Sequence, residues 1–251
     1  MAKKLEGKVA IVTGSGQGIG RGMAIALAKE GAKVVIAEIN PDTGKAVAEE
    51  IRKLGLQAIN VQFDLAVEAQ CRRMVDEAVK AFGPIDILIN NGQKLFVQYD
   101  PIEEFPEERW DATYQTGIKG TWYCCKAVFP YMKERGGSII NFGSGWGVYG
   151  APGWSDYAGC KEAIRGFSKT AAKEWAKYNI RVNVICPSIN SPSADAAKKK
   201  FPELTGGNPG GAGDPEKDAG GLAVFLASSD SKQLTGTTFN VMKDSVSIQY
   251  P

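Results

Sequence analysis

The chain predicts an α/β fold, a doubly wound, seven-stranded parallel sheet with helices on both faces. Three observations carry this. Short β-branched runs alternate with longer segments of helical period, and the runs are continuously apolar rather than alternating. No internal repeat or linker divides the 251 residues, so 1–251 reads as a single domain long enough to bury one large core. Continuous apolar runs suit strands covered on both sides, as parallel strands are, and alternation with helices is the pattern of crossover units.

The elements follow in order. "KVAIVT" (8–13) is the first strand and 19–30 its helix; "KVVIAE" (33–38) precedes a helix at 42–54. "QAINVQF" (57–63) leads to a helix at 68–82, and "IDILIN" (85–90) to a long helical pattern at 107–134. "SIINFG" (138–143) is followed by a helix at 155–178, "IRVNVIC" (180–186) by one at 215–228, and "TTFNVM" (237–242) closes the sheet. Between 187 and 214 the composition turns to Pro, Gly and Ser, including "TGGNPGGAGDP". A long irregular segment inside a compact domain is usually functional, and this one is expected to close over a substrate.

Composition narrows the function classes. Thirty basic against 28 acidic residues leave a formal charge of +2, which recruits neither nucleic acid nor an anionic membrane. The run Lys198-Lys199-Lys200 reads as a solvated helix face. The chain contains no histidine, so a thiolate–imidazole pair and a histidine-ligated metal are excluded, and no metal site is expected. Its five cysteines are odd in number, lack CxxC spacing and mostly sit in apolar segments, where a thiol behaves as a small hydrophobe. The apolar run near the N-terminus is too short for a signal peptide or a membrane span. These features suggest a reduced, cytoplasmic protein.

"VTGSGQGIG" closes the first strand and opens the first helix. Gly14, Gly18 and Gly20 allow a tight turn, a close approach of backbone to a pyrophosphate, and close packing of helix on strand. The helix N-terminus then offers free N–H groups and a positive dipole end. Glu38 ends the second strand, where a carboxylate accepts both ribose hydroxyls of NAD and repels a 2′-phosphate. A site reading that phosphate would want a cation near Gln17 or Ile39, so NAD is favoured over NADP. A solvated helix-cap carboxylate is the plainer alternative for Glu38.

Without histidine, proton transfer needs another group. Tyr157 and Lys161 lie four apart in "YAGCK", on one face of a helix. A nearby ammonium and an oxidised nicotinamide, both cationic, would lower the tyrosine pKa toward a working range. Ser144 follows the strand "SIINFG" at the C-terminal edge of the sheet, where its hydroxyl could bond the substrate oxygen.

With these residues together, the chain resembles the short-chain dehydrogenase/reductase family in its single-domain, Rossmann-like form, over nearly its whole length. The resemblance rests on "TGSGQGIG", Glu38, Asp64-Leu65, "NNG" (90–92), Ser144 and "YAGCK". It implies an NAD-dependent oxidoreductase with Tyr157 as acid/base. Lys161 would tune Tyr157 and hold the nicotinamide ribose, and Ser144 would orient the substrate oxygen. Asp64 and Leu65 would border the adenine; Asn90, Asn91 and Gly92 would support the cofactor; Ile19, Pro187, Ser188 and Ile189 would complete its site. It also implies pairing of the two long helices between copies, hence a homotetramer or dimer.

The chain departs from the family at Gly117, where an asparagine that helps hold a relay water is usual, and at Gln93, Ser188 and "MKD". Gly117 is expected to enlarge the space beside the relay, with a water held by backbone carbonyls or by Gln93. Phe96, Tyr99, Trp146, Tyr149 and Trp154, with Gln93, are expected around the substrate, suiting an apolar aryl or alicyclic alcohol or its ketone. Few arginines cluster there, which disfavours acyl-carrier and sugar-phosphate substrates. A polyol or steroid substrate stays open, as does a non-catalytic NAD-binding sensor or scaffold.

Overall fold

The computed structural model describes residues 3–202 and 212–249. Its first half lays down β1 (Val9–Thr13), α1 (Gly18–Lys29), β2 (Lys33–Glu38), α2 (Pro41–Lys53), β3 (Ala58–Gln62), α3 (Glu68–Phe82) and β4 (Ile87–Asn90). The second half adds α4 (Glu107–Tyr114), α5 (Gly120–Met132), β5 (Gly137–Phe142), α6 (Gly145–Tyr149) and α7 (Ser155–Trp175). It ends with β6 (Ile180–Pro187), α8 (Pro192–Lys200), α9 (Gly221–Ala227), β7 (Thr238–Met242) and β8 (Ser245–Gln249).

One sheet runs in the order β3-β2-β1-β4-β5-β6-β7-β8. The first seven strands are parallel, and successive residues feed opposite layers. Val9 and Ile11 of β1 pack with α3, α5 and α7, while Ala10 and Val12 pack with α1, α2 and α9. That double burial is why the runs are apolar throughout; each fully buried Ile or Leu contributes about 2 kcal/mol.

Three expectations are corrected. The sheet has an eighth strand, β8, antiparallel to β7. Met242 pairs with Ser245 across the two-residue turn Lys243-Asp244, with Asp244 at φ 52°, a left-handed conformation that aspartate tolerates. Its side chains are mostly exposed, so no buried run announced it. The long helix at 107–134 divides at a π turn, Gln115–Lys119, and the helix at 215–228 opens with another, Pro215–Gly220, before α9. Within 187–214, expected to be irregular, lies α8, with Ser191 capping the N–H of Ala194 at 3.1 Å and Pro192 in the first turn. Residues 203–211, holding most of the glycine-rich run, lie outside the described residues.

Candidate active site

Strand order reverses between β1 and β4, which opens a crevice at the C-terminal edge of the sheet. The glycine loop lines it. Gly14 has φ 61°, and a Cβ there would lie 2.6 Å from Gly92 Cα, so the two loops touch backbone to backbone. Thr13 Oγ1 accepts from the N–H groups of Asn91 (3.1 Å) and Gly92 (3.0 Å). Asn91 Nδ2 donates to the carbonyls of Thr13 and Gly14, both at 3.0 Å. Gln17 makes no side-chain cap, so the first-turn N–H groups of α1 face the crevice unclaimed by a cap.

Glu38 is buried at the end of β2. Its Oε2 accepts from Gly16 N–H at 2.9 Å, and Oε1 accepts from Ile39 and Asn40 N–H at 3.0 and 3.2 Å. The carboxylate thus braces the glycine loop while adding negative charge where the ribose end of a dinucleotide would lie. Ile39 is 60% exposed beside it. Free donors, a tight cradle and this carboxylate fit a dinucleotide.

The other expected cofactor residues divide. Asp64 accepts from Ala66 N–H at 2.8 Å, and Leu65 is wedged against Gly92 and Gly120. Asn90 turns into the protein, donating to Asn141 Oδ1 at 2.9 Å, so it supports β4 and β5 rather than facing the crevice. Ser188 N–H continues β6 toward Val241 O at 2.8 Å, following Pro187, while Ile189 packs into the core instead of standing open. Gly18 and Ile19 open α1, and a Cβ on Gly18 would lie 3.2 Å from Pro192 Cδ, so the start of α8 sits beside the glycine loop.

Across the crevice, Ser144 caps α6 by accepting from Trp146 N–H at 3.1 Å, and its hydroxyl acts on the Tyr157 phenol by favouring the charged form. Tyr157 sits in the first turn of α7. One turn on, buried Lys161 donates from Nζ to Phe142 O at 3.0 Å, with that ammonium 5.4 Å from the centre of the Tyr157 ring. Burial pushes the Tyr157 phenol up to about 12, against the opposing pull of the Ser144 hydrogen bond, and draws Lys161 down to about 8. In the free chain desolvation wins; the lowering expected for the tyrosine belongs to the complex with an oxidised nicotinamide. At neutral pH the phenol holds its proton.

Gly117 lies buried in the π turn, but it does not enlarge the space. A Cβ there would land on Cys160 Sγ and lie 2.8 Å from Gln93 Nε2. Gln93 Nε2 donates to Thr113 O at 3.5 Å and toward Cys160 Sγ at 3.7 Å. The missing side chain's volume is thus filled by a thiol and a carboxamide. Burial raises the pKa values of Cys160 and, to about 11, Cys186, so neither is a thiolate nucleophile at neutral pH.

The aromatic residues differ in role. Trp146 meets Tyr157 edge-to-face at 6.1 Å and Trp154 at 4.9 Å. Trp154 is buried and supports Trp146 from behind. Phe96 is partly covered, with Lys94 Nζ 4.7 Å above its ring. Tyr149, expected at the substrate, stands 82% exposed, immediately before Gly150 at φ 78°. Thr13, Arg109 and Asp156 escaped the sequence reading. Thr13 had a usable signal, a hydroxyl directly before the first loop glycine; Arg109 and Asp156 are 47 residues apart and had none.

Among the described residues, no cluster of three or more His, Cys, Asp or Glu side chains is arranged to hold a metal, and no helix is long and apolar enough to cross a membrane.

Comparison with known proteins places these residues in context. The family model described as short chain dehydrogenase matches residues 8–203. A 12alpha-hydroxysteroid dehydrogenase from a Clostridium species is 39% identical over 248 residues, covering 94% of this chain and 95% of the relative. A 3-oxoacyl-[acyl-carrier-protein] reductase from Thermotoga maritima is 34% identical, covering 95% and 97%. The crystal structure of a short chain dehydrogenase from Mycobacterium avium superposes with a TM-score of 0.86 at 29% identity, covering 99% of this chain and 87% of the other.

Proposed function

The chain belongs to the short chain dehydrogenase family, and from that premise we propose that it is an NAD-dependent oxidoreductase interconverting an apolar secondary alcohol and its ketone. The substrate class it fits best is alicyclic, a steroid-like ring system included. The observation that carries this reading is Ser144, Tyr157 and Lys161 converging at the switch-point crevice, opposite the glycine loop.

In reduction, Tyr157 gives its proton to the substrate oxygen while Ser144 holds that oxygen by a hydrogen bond. Lys161 stabilises the phenolate left behind. A bound nicotinamide supplies or accepts the hydride. In oxidation the phenolate takes the alcohol proton, and Ser144 keeps the oxygen in line. Glu38 supports NAD over NADP, because its carboxylate would repel a 2′-phosphate.

The relative named as a hydroxysteroid dehydrogenase supports a polycyclic alcohol, and the flat wall of Trp146 suits one. Five buried, unpaired cysteines support a reducing, cytoplasmic setting. Lys161, Tyr157 and Ser144 leave no step that requires a metal.

The test follows NADH oxidation with aryl, alicyclic and steroid ketones and a 3-oxoacyl thioester, beside Tyr157→Phe. Turnover of an alicyclic ketone that falls by about 10³-fold or more in Tyr157→Phe, with NADH affinity kept, is the expected result. Turnover confined to the thioester overturns the substrate class. Tight NADH binding without turnover on any member overturns the enzyme and leaves a redox-sensing or scaffold protein.

A further inference from the structure

A buried cation lies among the segments that surround Trp154 and Tyr157. Arg109 of α4 is 6% exposed and Asp156, the residue before Tyr157, is 2% exposed. Arg109 Nε and Nη2 donate to the two Asp156 oxygens, each at 3.3 Å, and Nη2 also donates to Gly153 O at 3.3 Å. Nη1 pairs with Asp100. Thr113 Oγ1 completes the set by donating to Asp156 Oδ2 at 2.6 Å. The guanidinium also faces two rings, Phe105 at 4.3 Å and Trp154 at 5.7 Å.

These contacts join three separate segments: the stretch after β4 that holds Asp100 and Phe105, the start of α4, and the loop that delivers Trp154 and Tyr157. The loop is shaped to receive them. Gly153 has φ 77°, and the Tyr99 ring occupies the place where its Cβ would be. From Arg109 the chain of contact runs to Trp154, on to Trp146 at 4.9 Å, and on to Tyr157 at 6.1 Å. The glycine loop, Asn91 and Glu38 have no share in it.

A buried arginine with two carboxylates is weak evidence for stability, since apolar packing often does as well. Its value lies in fixed geometry, because a planar guanidinium holds its partners at defined angles where an aliphatic side chain would let them slide. We propose that Arg109 and Asp156 are positioning residues that set the Trp154–Trp146 wall against Tyr157 and so determine how the ketone is seated, independently of cofactor binding. The proposal rests on the oxidoreductase reading above.

The test compares Arg109→Lys, Arg109→Met and the double variant Arg109→Met/Asp156→Asn. The double variant removes the Asp156 carboxylate that Arg109→Met alone leaves buried without its cation, while Asp100, 17% exposed, keeps some contact with water. Each is measured for thermal melting, NADH affinity, KM and kcat with the best ketone, and the near-ultraviolet circular dichroism of the paired tryptophans. In the folded double variant, KM is expected to rise about tenfold with a smaller change in kcat. NADH affinity stays within a factor of about two, the tryptophan signal weakens, and Arg109→Lys recovers part of both losses. A folded double variant with unchanged KM and tryptophan signal overturns the proposal, and so does loss of NADH affinity in step with KM. If the wild-type chain binds NADH but turns over no ketone, the oxidoreductase reading fails separately. The tryptophan signal then decides the positioning claim by itself.

Discussion

Tyr157 and Lys161 move in opposite directions for one reason: burial disfavours whichever form is charged, so the phenol rises to about 12 and the ammonium falls to about 8. For ketone reduction, kcat/KM is expected to fall as pH rises through about 8, because Lys161 loses its charge while Tyr157 keeps its proton. Lys161→Arg, charged throughout, should lose that limb of the pH–rate profile; a limb that persists would reassign it to another group. The same shift bears on folding. Lys161 titrates below its ordinary 10.5, so between about 8 and 10.5 the unfolded chain binds more protons and this group makes stability rise with pH. Gly117 carries a second expectation. Gly117→Asn must displace Cys160 and Gln93, costing about 1–3 kcal/mol from overpacking, and should alter turnover more than NADH affinity. Adding Cys160→Ala, which clears the nearer of the two obstacles, should recover melting temperature; if it does not, the thiol is not what fills the site. The residue types were legible from spacing alone, but the filling of Gly117's volume was not. Cys160 and Gln93 come from distant segments, and only packing brings them there.

Each of the elements that form the crevice shows a different degree of legibility. The β1–loop–α1 unit was readable because its requirements are local, a strand, glycines able to reach φ near 60°, and an uncapped helix start. Glu38 reads in the sequence as a proposed ribose carboxylate, and its bonds to Gly16, Ile39 and Asn40 show that it shapes the loop. Glu38→Arg is therefore expected to do two things. NADH binding should weaken by about tenfold or more as three backbone donors lose a charged acceptor, and the ratio of NADPH to NADH affinity should rise. Fluorescence titration with both cofactors checks this, and an unchanged ratio would remove Glu38 from cofactor choice. By contrast α8 was hidden, since only Ala197 of its described side chains is buried and no apolar period marks it. β8 was hidden for the same reason, with Val246 and Ile248 about half exposed.

At the scale of the whole molecule, α5 and α7 present a groove lined by Trp122, Phe129, Phe167 and Trp175, edged by Lys126, Thr170 and Glu174, with Trp122 44% exposed. A helix apolar on more than one side needs a second cover, which supports the proposed pairing of copies there. Light scattering is expected to give a tetramer or dimer, and Trp122→Glu a smaller particle; a wild-type monomer would overturn the pairing. Periodicity determined the parallel α/β class, because strands buried on both faces must be apolar at every position. Short-range spacing determined the glycine loop and the Tyr157–Lys161 pair, because a turn or a single helix fixes where those groups stand relative to one another. Only the tertiary structure decided the direction of the tyrosine's shift, what fills the place beside Gly117, and that Arg109 holds Asp156. Desolvation, packing volume and buried charge pairing all depend on segments far apart in the chain, and no local pattern encodes which of them will meet.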